Sequence, residues 1–153
     1  MKFCVAATLG VLSCSQAFAQ PRIDYSTLEI KTTDLGSGVY LLNWQGGDSL
    51  VLVGDEGVLL VDTSVAPMGD KIKAAIAKVT DKPIRLIVNT HAHADHFGAN
   101  EALANGRATI VAHVNLRERM AKGFSAFGQA VPPSPPAPLP TVTYGDAMTL
   151  HFA

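Results

Sequence analysis

The sequence predicts a layered α/β domain, and three observations carry that reading. β-rich runs cluster between residues 38 and 62. An amphipathic helical pattern follows them. Then comes Pro83–Thr90, an almost wholly apolar run of the kind found in strands buried on both faces. At 153 residues the chain has length for one domain at most, and at 48% hydrophobic and 16% charged it can bury a core. Its 12 basic and 13 acidic groups nearly cancel. That balance leaves no electrostatic footprint for nucleic acid or an anionic membrane.

The first element is "MKFCVAATLGVLSCSQAFAQ". Lys2 supplies a positive start, Phe3–Leu12 is apolar but far too short to span a bilayer, and Ala17-Phe18-Ala19 is a small-x-small cleavage pattern. Residues 1–19 are therefore expected to be a secretory signal peptide, with cleavage after Ala19, and the protein to be periplasmic or secreted. "VLSC" at Val11–Cys14 is a weaker, lipoprotein-like rival. Both cysteines, Cys4 and Cys14, lie in this leader. The mature domain then has neither disulfide nor thiolate, and any metal site must be built from His and carboxylate.

Residues 20–34 are polar and weakly patterned, which reads as an N-terminal arm; the folded domain is expected over 35–153. "GVYLLNW" (Gly38–Trp44), "DSLVLVG" (Asp48–Gly54) and "VLLVDT" read as an antiparallel meander, joined through Gln45-Gly46-Gly47 and Asp55-Glu56-Gly57. In Met68–Thr80, Ile72, Ala75, Ile76 and Val79 recur at helical spacing, with Pro67 just ahead where proline is tolerated. After the buried strand, "ADHFGANEALAN" reads as a helix with Asp95 as candidate N-cap and Asn105-Gly106 as its stop. "ATIVAH" is a strand, and "VNLRERMAKG" a short helix ended by Gly123. "VPPSPPAPLP" places six prolines in ten residues and reads as an extended surface loop. "TVTYGDAMTLHFA" suggests a hairpin about Gly145-Asp146, with Thr149–Ala153 still strand-like at the end.

The chemistry concentrates in "NTHAHADHFGAN", Asn89–Asn100. Imidazole and carboxylate are standard ligands for zinc and its neighbours. His91 and His93 are two apart, so in extended chain they project to the same side. Asp95 and His96 begin the following turn. This spacing aims two imidazoles at one ion, and a carboxylate with an imidazole at a second. The loop lies just past the carboxyl end of a buried strand, where ligands bind in open α/β sheets.

His91-x-His93-x-Asp95-His96 resembles the H-x-H-x-D-H signature of the metallo-β-lactamase superfamily. "GDEGVLLVDT", "IRLIVNTHAHADHFGAN" and "ATIVAHVNLRERM" are similar to that family's strands and helices around the motif. The resemblance covers about residues 35–153. It implies the N-terminal half of an αββα sandwich, with a one- or two-zinc site at its edge and iron or manganese as alternative metals. It implies His91 and His93 on the first ion, Asp95 and His96 on the second, and Asp95 orienting or deprotonating the metal-bound water. The implied reaction is attack of metal-bound hydroxide on an ester, amide, lactam, thioester or phosphoester of a small-molecule substrate. The family's remaining ligands lie well downstream of the motif. His113 and His151 lack their flanking sequence, so the chain looks like the first part of a longer enzyme and is expected to lack full activity alone. The alternatives are a non-catalytic metal-binding fragment and an iron-dependent redox member of the superfamily. Elemental analysis of protein purified without added metal separates the last.

Asp62 has two readings: a carboxylate behind the site that accepts the second ring N–H of a metal-bound imidazole, or a turn or N-cap residue. Trp44, Phe124 and Phe127 are candidates to line a substrate groove, with core packing the default for Trp44. No segment reads as a stable membrane span, and the sequence does not specify an oligomeric state.

Overall fold

The computed structural model describes residues 23–126 and 128–152. The signal peptide and Phe127 fall outside that range. A seven-stranded sheet organises the chain in the order β1-β2-β3-β4-β5-β6-β9, and β7 (Phe124–Ala126) pairs antiparallel with β8 (Gln129–Val131) in a separate two-stranded sheet. The first part of the large sheet is antiparallel: β1 (Lys31–Gly36), followed by the predicted three-stranded meander of β2 (Val39–Trp44), β3 (Gly47–Gly54) and β4 (Gly57–Val61). From β4 onward the sheet is parallel, through β5 (Ile84–Asn89), β6 (Thr109–His113) and β9 (Val142–Tyr144). The mixed α/β class expected from the sequence is the one observed.

The face covered by helices is built by alternation. Leu42, Val51, Leu60, Ile87 and Ile110 are buried, and register carries the row across the sheet as Val51↔Leu60, Leu60↔Ile87 and Ile87↔Ile110. Against it lie α1 (Gly69–Ala77), which buries Ile72, Ala75 and Ile76, and α3 (Asn100–Ala104), which buries Leu103 and Ala104. Each large aliphatic removed from water there contributes about 1.5–3 kcal/mol. A second cluster joins Phe97, Ala112, Leu116, Met120 and Leu139, and α4 (Val114–Lys122) supplies Leu116 and Met120. Phe124 packs against this cluster, so its role is core. On the opposite sheet face, Leu41, Leu50, Val61 and Val88 form an in-register apolar line and are only half-buried.

Four local expectations are corrected. The arm over 20–34 already contains strand from Lys31; β1 is a polar edge strand, and polar edges look like loops in composition. The helix after the motif is two pieces, α2 (Ala94–Phe97) and α3, separated at Gly98-Ala99. A Cβ on Gly98 would stand 2.8 Å from the backbone nitrogen of Ala66 and 3.0 Å from Cα of Val65. The chain therefore passes too close there for a side chain. Asp95 is not the N-cap of α2; His93 holds that position in extended conformation and Asp95 lies in the first turn. Finally, Val142–Tyr144 does not turn into a hairpin. It adds parallel to the free edge of β6, and residues 149–152 form no strand. An open edge of unpaired backbone groups offers that segment a ready ladder.

The element that closes the site is topological. β4, β5 and β6 are parallel, with Val61↔Val88, Val88↔Val111 and Asn89↔Ala112 in register. Their carboxyl ends therefore deliver Asp62, the 90–96 loop and His113 to one edge of the sheet.

Candidate metal centre

Asp62 follows β4 directly, is 5% exposed, and adopts a left-handed φ of 60°. That conformation aims its carboxylate across to the end of β5. Oδ1 accepts from the backbone N–H of Thr90 at 2.8 Å. Oδ2 accepts from the Thr90 hydroxyl at 2.7 Å and faces Nδ1 of His96 at 2.7 Å. Asp62 is not the N-cap of the 3₁₀ turn at Ala66–Met68, where Val65 holds that position. The Asp62–His96 contact is the arrangement of a carboxylate that orients an imidazole.

These contacts assign tautomers. A carboxylate only accepts, so in its neutral form His96 carries its proton at Nδ1 and leaves Nε2 as a lone pair. The one hydroxyl proton of Thr90 is given to Asp62. Its oxygen therefore accepts from Nδ1–H of His91, 3.0 Å away, and His91 too presents a bare Nε2. One carboxylate thus sets both rings, one directly and one through a hydroxyl. Partial burial, then the neighbouring His96 and His93 rings, holds His91 below the ordinary histidine range. A neutral ring is the ligand form.

The bare nitrogens face other donors. Nε2 of His91 is 3.0 Å from Nδ1 of His93, and Nε2 of His96 is 3.3 Å from Oδ2 of Asp95. Two nitrogens bound to one tetrahedral zinc at about 2.0–2.1 Å stand about 3.3 Å apart. A lone pair facing a carboxylate oxygen at that distance needs a proton or a metal cation between them. In donor type, tautomer and spacing, then, the residues fit divalent metal as two pairs. They do not make a closed site. Among the described residues, no group of three or more His, Cys, Asp or Glu is placed to hold an ion by itself.

The backbone under the loop is pinned by a buried polar network that pattern reading missed. The carbonyl of His96 accepts from the backbone N–H of Thr63 at 2.8 Å and from Nδ2 of Asn89 at 3.0 Å. Asn89 and Asn100, both fully buried, exchange hydrogen bonds at 3.0 and 2.8 Å. Asn100 also accepts from the Thr63 hydroxyl at 2.9 Å and donates to the carbonyl of Pro138 at 3.0 Å, which ties the proline-rich loop to the site. Asn89 ends β5, whose sequence IRLIVN is apolar apart from Arg85 and the amide itself.

The remaining candidates lie apart. His113 caps α4, its Nδ1 accepting from the backbone N–H of Asn115 at 3.1 Å. His151 is exposed and lies beside Glu56 and Arg85, near the starts of β4 and β5. Trp44 is buried and stacks edge-on with Tyr25, centroids 6.1 Å apart.

Comparison with known proteins agrees with this architecture. A sequence profile of the Metallo-beta-lactamase superfamily matches residues 42–151. The chain belongs to the metallo-beta-lactamase superfamily. A linear primary-alkylsulfatase from a Pseudomonas strain is 34% identical over 80 residues, an alignment covering 48% of this chain and 15% of that relative. A class B3 di-zinc metallo-beta-lactamase from an Alaskan soil metagenome superposes with a TM-score of 0.72 at 20% identity, covering 87% of this chain and 53% of that one. A Cronobacter sakazakii metallo-beta-lactamase described by an HARLDQ motif gives 0.67 at 24% identity, over 81% of this chain and 46% of that one. The chain thus spans about half the length of these superfamily structures, and the likeness is one of fold.

Proposed function

We propose that this chain carries two ligand pairs of a zinc-dependent hydrolase centre. His91 and His93 would hold one ion, and Asp95 and His96 a second. Zinc held there supplies Lewis acidity, which activates water at neutral pH and polarises the oxygen of the group under attack. The chain's own residues do the rest. Asp62 and Thr90 keep the protons of His96 and His91 on Nδ1. The Asn89–Asn100–Thr63 network holds the His96 backbone still. Asp95, half-buried beside His96, would accept a proton from the attacking water.

The observation that carries this reading is the two close pairs of ligand atoms, His91 Nε2 with His93 Nδ1 at 3.0 Å and His96 Nε2 with Asp95 Oδ2 at 3.3 Å. The substrate would be a small ester, amide, lactam, thioester or phosphoester, and the alkylsulfatase among the relatives adds sulfate esters. Zinc stoichiometry, and zinc-dependent turnover of a generic ester, measured before and after His91→Ala and Asp95→Ala, form the test. The reading expects both variants to lose zinc and turnover together. Turnover that persists in chelator would contradict it.

A second reading, metal binding without turnover, is favoured by one feature: each pair supplies two donors, whereas a catalytic zinc usually takes three from protein. Zinc uptake with no zinc-dependent turnover would select it. We also propose that residues 1–19 direct export; a mature protein beginning at Gln20 by mass spectrometry is the expected result.

A further inference from the structure

Beside the metal loop lies a cavity of about 530 Å³, bounded on one side by Thr90, His91 and Ala92 and on the other by α4. The sequence of α4 explains its lining. Leu116 and Met120 turn inward and are buried in the second core cluster. Asn115, Glu118, Arg119 and Lys122 follow at spacings of three, one and three, so they share the opposite stripe of the helix, and all four line the cavity. That stripe carries two cations and one carboxylate. Glu118 pairs with Lys122 at 3.0 Å on an exposed surface, a contact of little strength that a competing anion can displace. Arg119 has no hydrogen bond or ion pair with the described residues. Its planar fork is suited to an oxyanion.

We propose that this cavity binds the anionic group of the substrate on Arg119 and Lys122, which makes the centre selective for anionic esters. The proposal rests on the hydrolase reading above, because His91 lines the same cavity and an anion held on α4 would stand next to the metal loop. Both cations also stand in the last turn of α4, where they offset the helix dipole. That role alone would alter stability and leave anion binding untouched, so the two roles separate experimentally.

The test is a titration of the zinc-free chain with butyl sulfate, and with 1-butanol as the neutral control, followed by amide NMR shifts. Butyl sulfate should move amides of residues 90–92 and 115–123 in a saturable way, and 1-butanol should not. Arg119→Gln and Lys122→Gln should each weaken the binding about tenfold, the loss expected for one charge-assisted hydrogen bond. Arg119→Lys, which keeps the charge and loses the fork, should retain part of it, and Lys78→Gln, at the C-cap of α1, all of it. Equal affinity in the α4 variants, shifts centred elsewhere, equal response to 1-butanol, or no saturable response would each overturn the proposal. Because zinc is absent, failure of the hydrolase reading shows separately, as anion binding that survives in a chain unable to take up zinc.

Discussion

His91 and His96 sit with ring centroids 3.9 Å apart, yet they are held in different ways. His96 is gripped at its ring by a buried carboxylate and at its carbonyl by Thr63 and Asn89. His91 is exposed, and behind its Nδ1 stands only the Thr90 hydroxyl. The difference follows from the chain path. His96 lies inside α2, where packing against the β4–α1 connection brings many polar partners, whereas His91 lies on the open turn between β5 and α2. The Asp95–His96 pair is therefore set before any ion arrives. In the His91–His93 pair, His91 is exposed and its Nδ1 is held through the Thr90 hydroxyl. Asp62 is what the two pairs share.

Removing Asp62 should have the largest effect, because it disturbs both pairs. Asp62→Ala leaves the Thr90 N–H and the His96 Nδ1–H without their acceptor, a loss of about 2–4 kcal/mol in zinc-free urea unfolding. Zinc affinity should fall about 10–100-fold, the usual result of removing a group that orients a ligand. A variant unchanged in both would remove the shared support. Asn100→Ala should come next and act on the His96 side. It leaves the buried Oδ1 of Asn89 and the Pro138 carbonyl without their donor and removes the nearer acceptor of the Thr63 hydroxyl, for about 1–3 kcal/mol by the same unfolding measurement. Thr90→Val acts mainly on the His91 side. It should cost about 1 kcal/mol of stability, and it should weaken zinc binding at His91–His93 more than at Asp95–His96 in a two-site calorimetric fit.

The smallest effect is the pH response of His91. Its pKa is lower folded than unfolded, so the folded state binds fewer protons there. The corresponding stability is complete above the unfolded histidine value and is lost as pH falls through the lowered folded one. In zinc-free protein, the urea midpoint should drop slightly more between pH 7.5 and pH 5 for the parent than for His91→Gln. An identical drop would remove the inference of a neutral His91.

The same contrast shows what was legible in the sequence. The meander, β5, β6, α1, α4 and the motif loop all announced themselves by local period or spacing. Asp62 was marked as a candidate because it ends an apolar strand. What supports His96 was not legible, because Thr63, Asn89 and Asn100 meet only after β4 and β5 pair in parallel, bringing together residues as far as 37 positions apart. The split between α2 and α3 was hidden for a similar reason: Gly98 is shaped by a backbone passing from 65–66, not by its own neighbours. The mistaken hairpin at Gly145-Asp146 came from reading alternation without knowing that β6 had a free edge.

The most direct measurement is anomalous diffraction at the zinc edge from crystals of this chain grown with zinc. The account predicts one peak bonded to Nε2 of His91 and Nδ1 of His93, and a second bonded to Oδ2 of Asp95 and Nε2 of His96. Peaks absent from both pairs, or zinc bound through Nδ1 of His96 with the Asp62 contact broken, would contradict it.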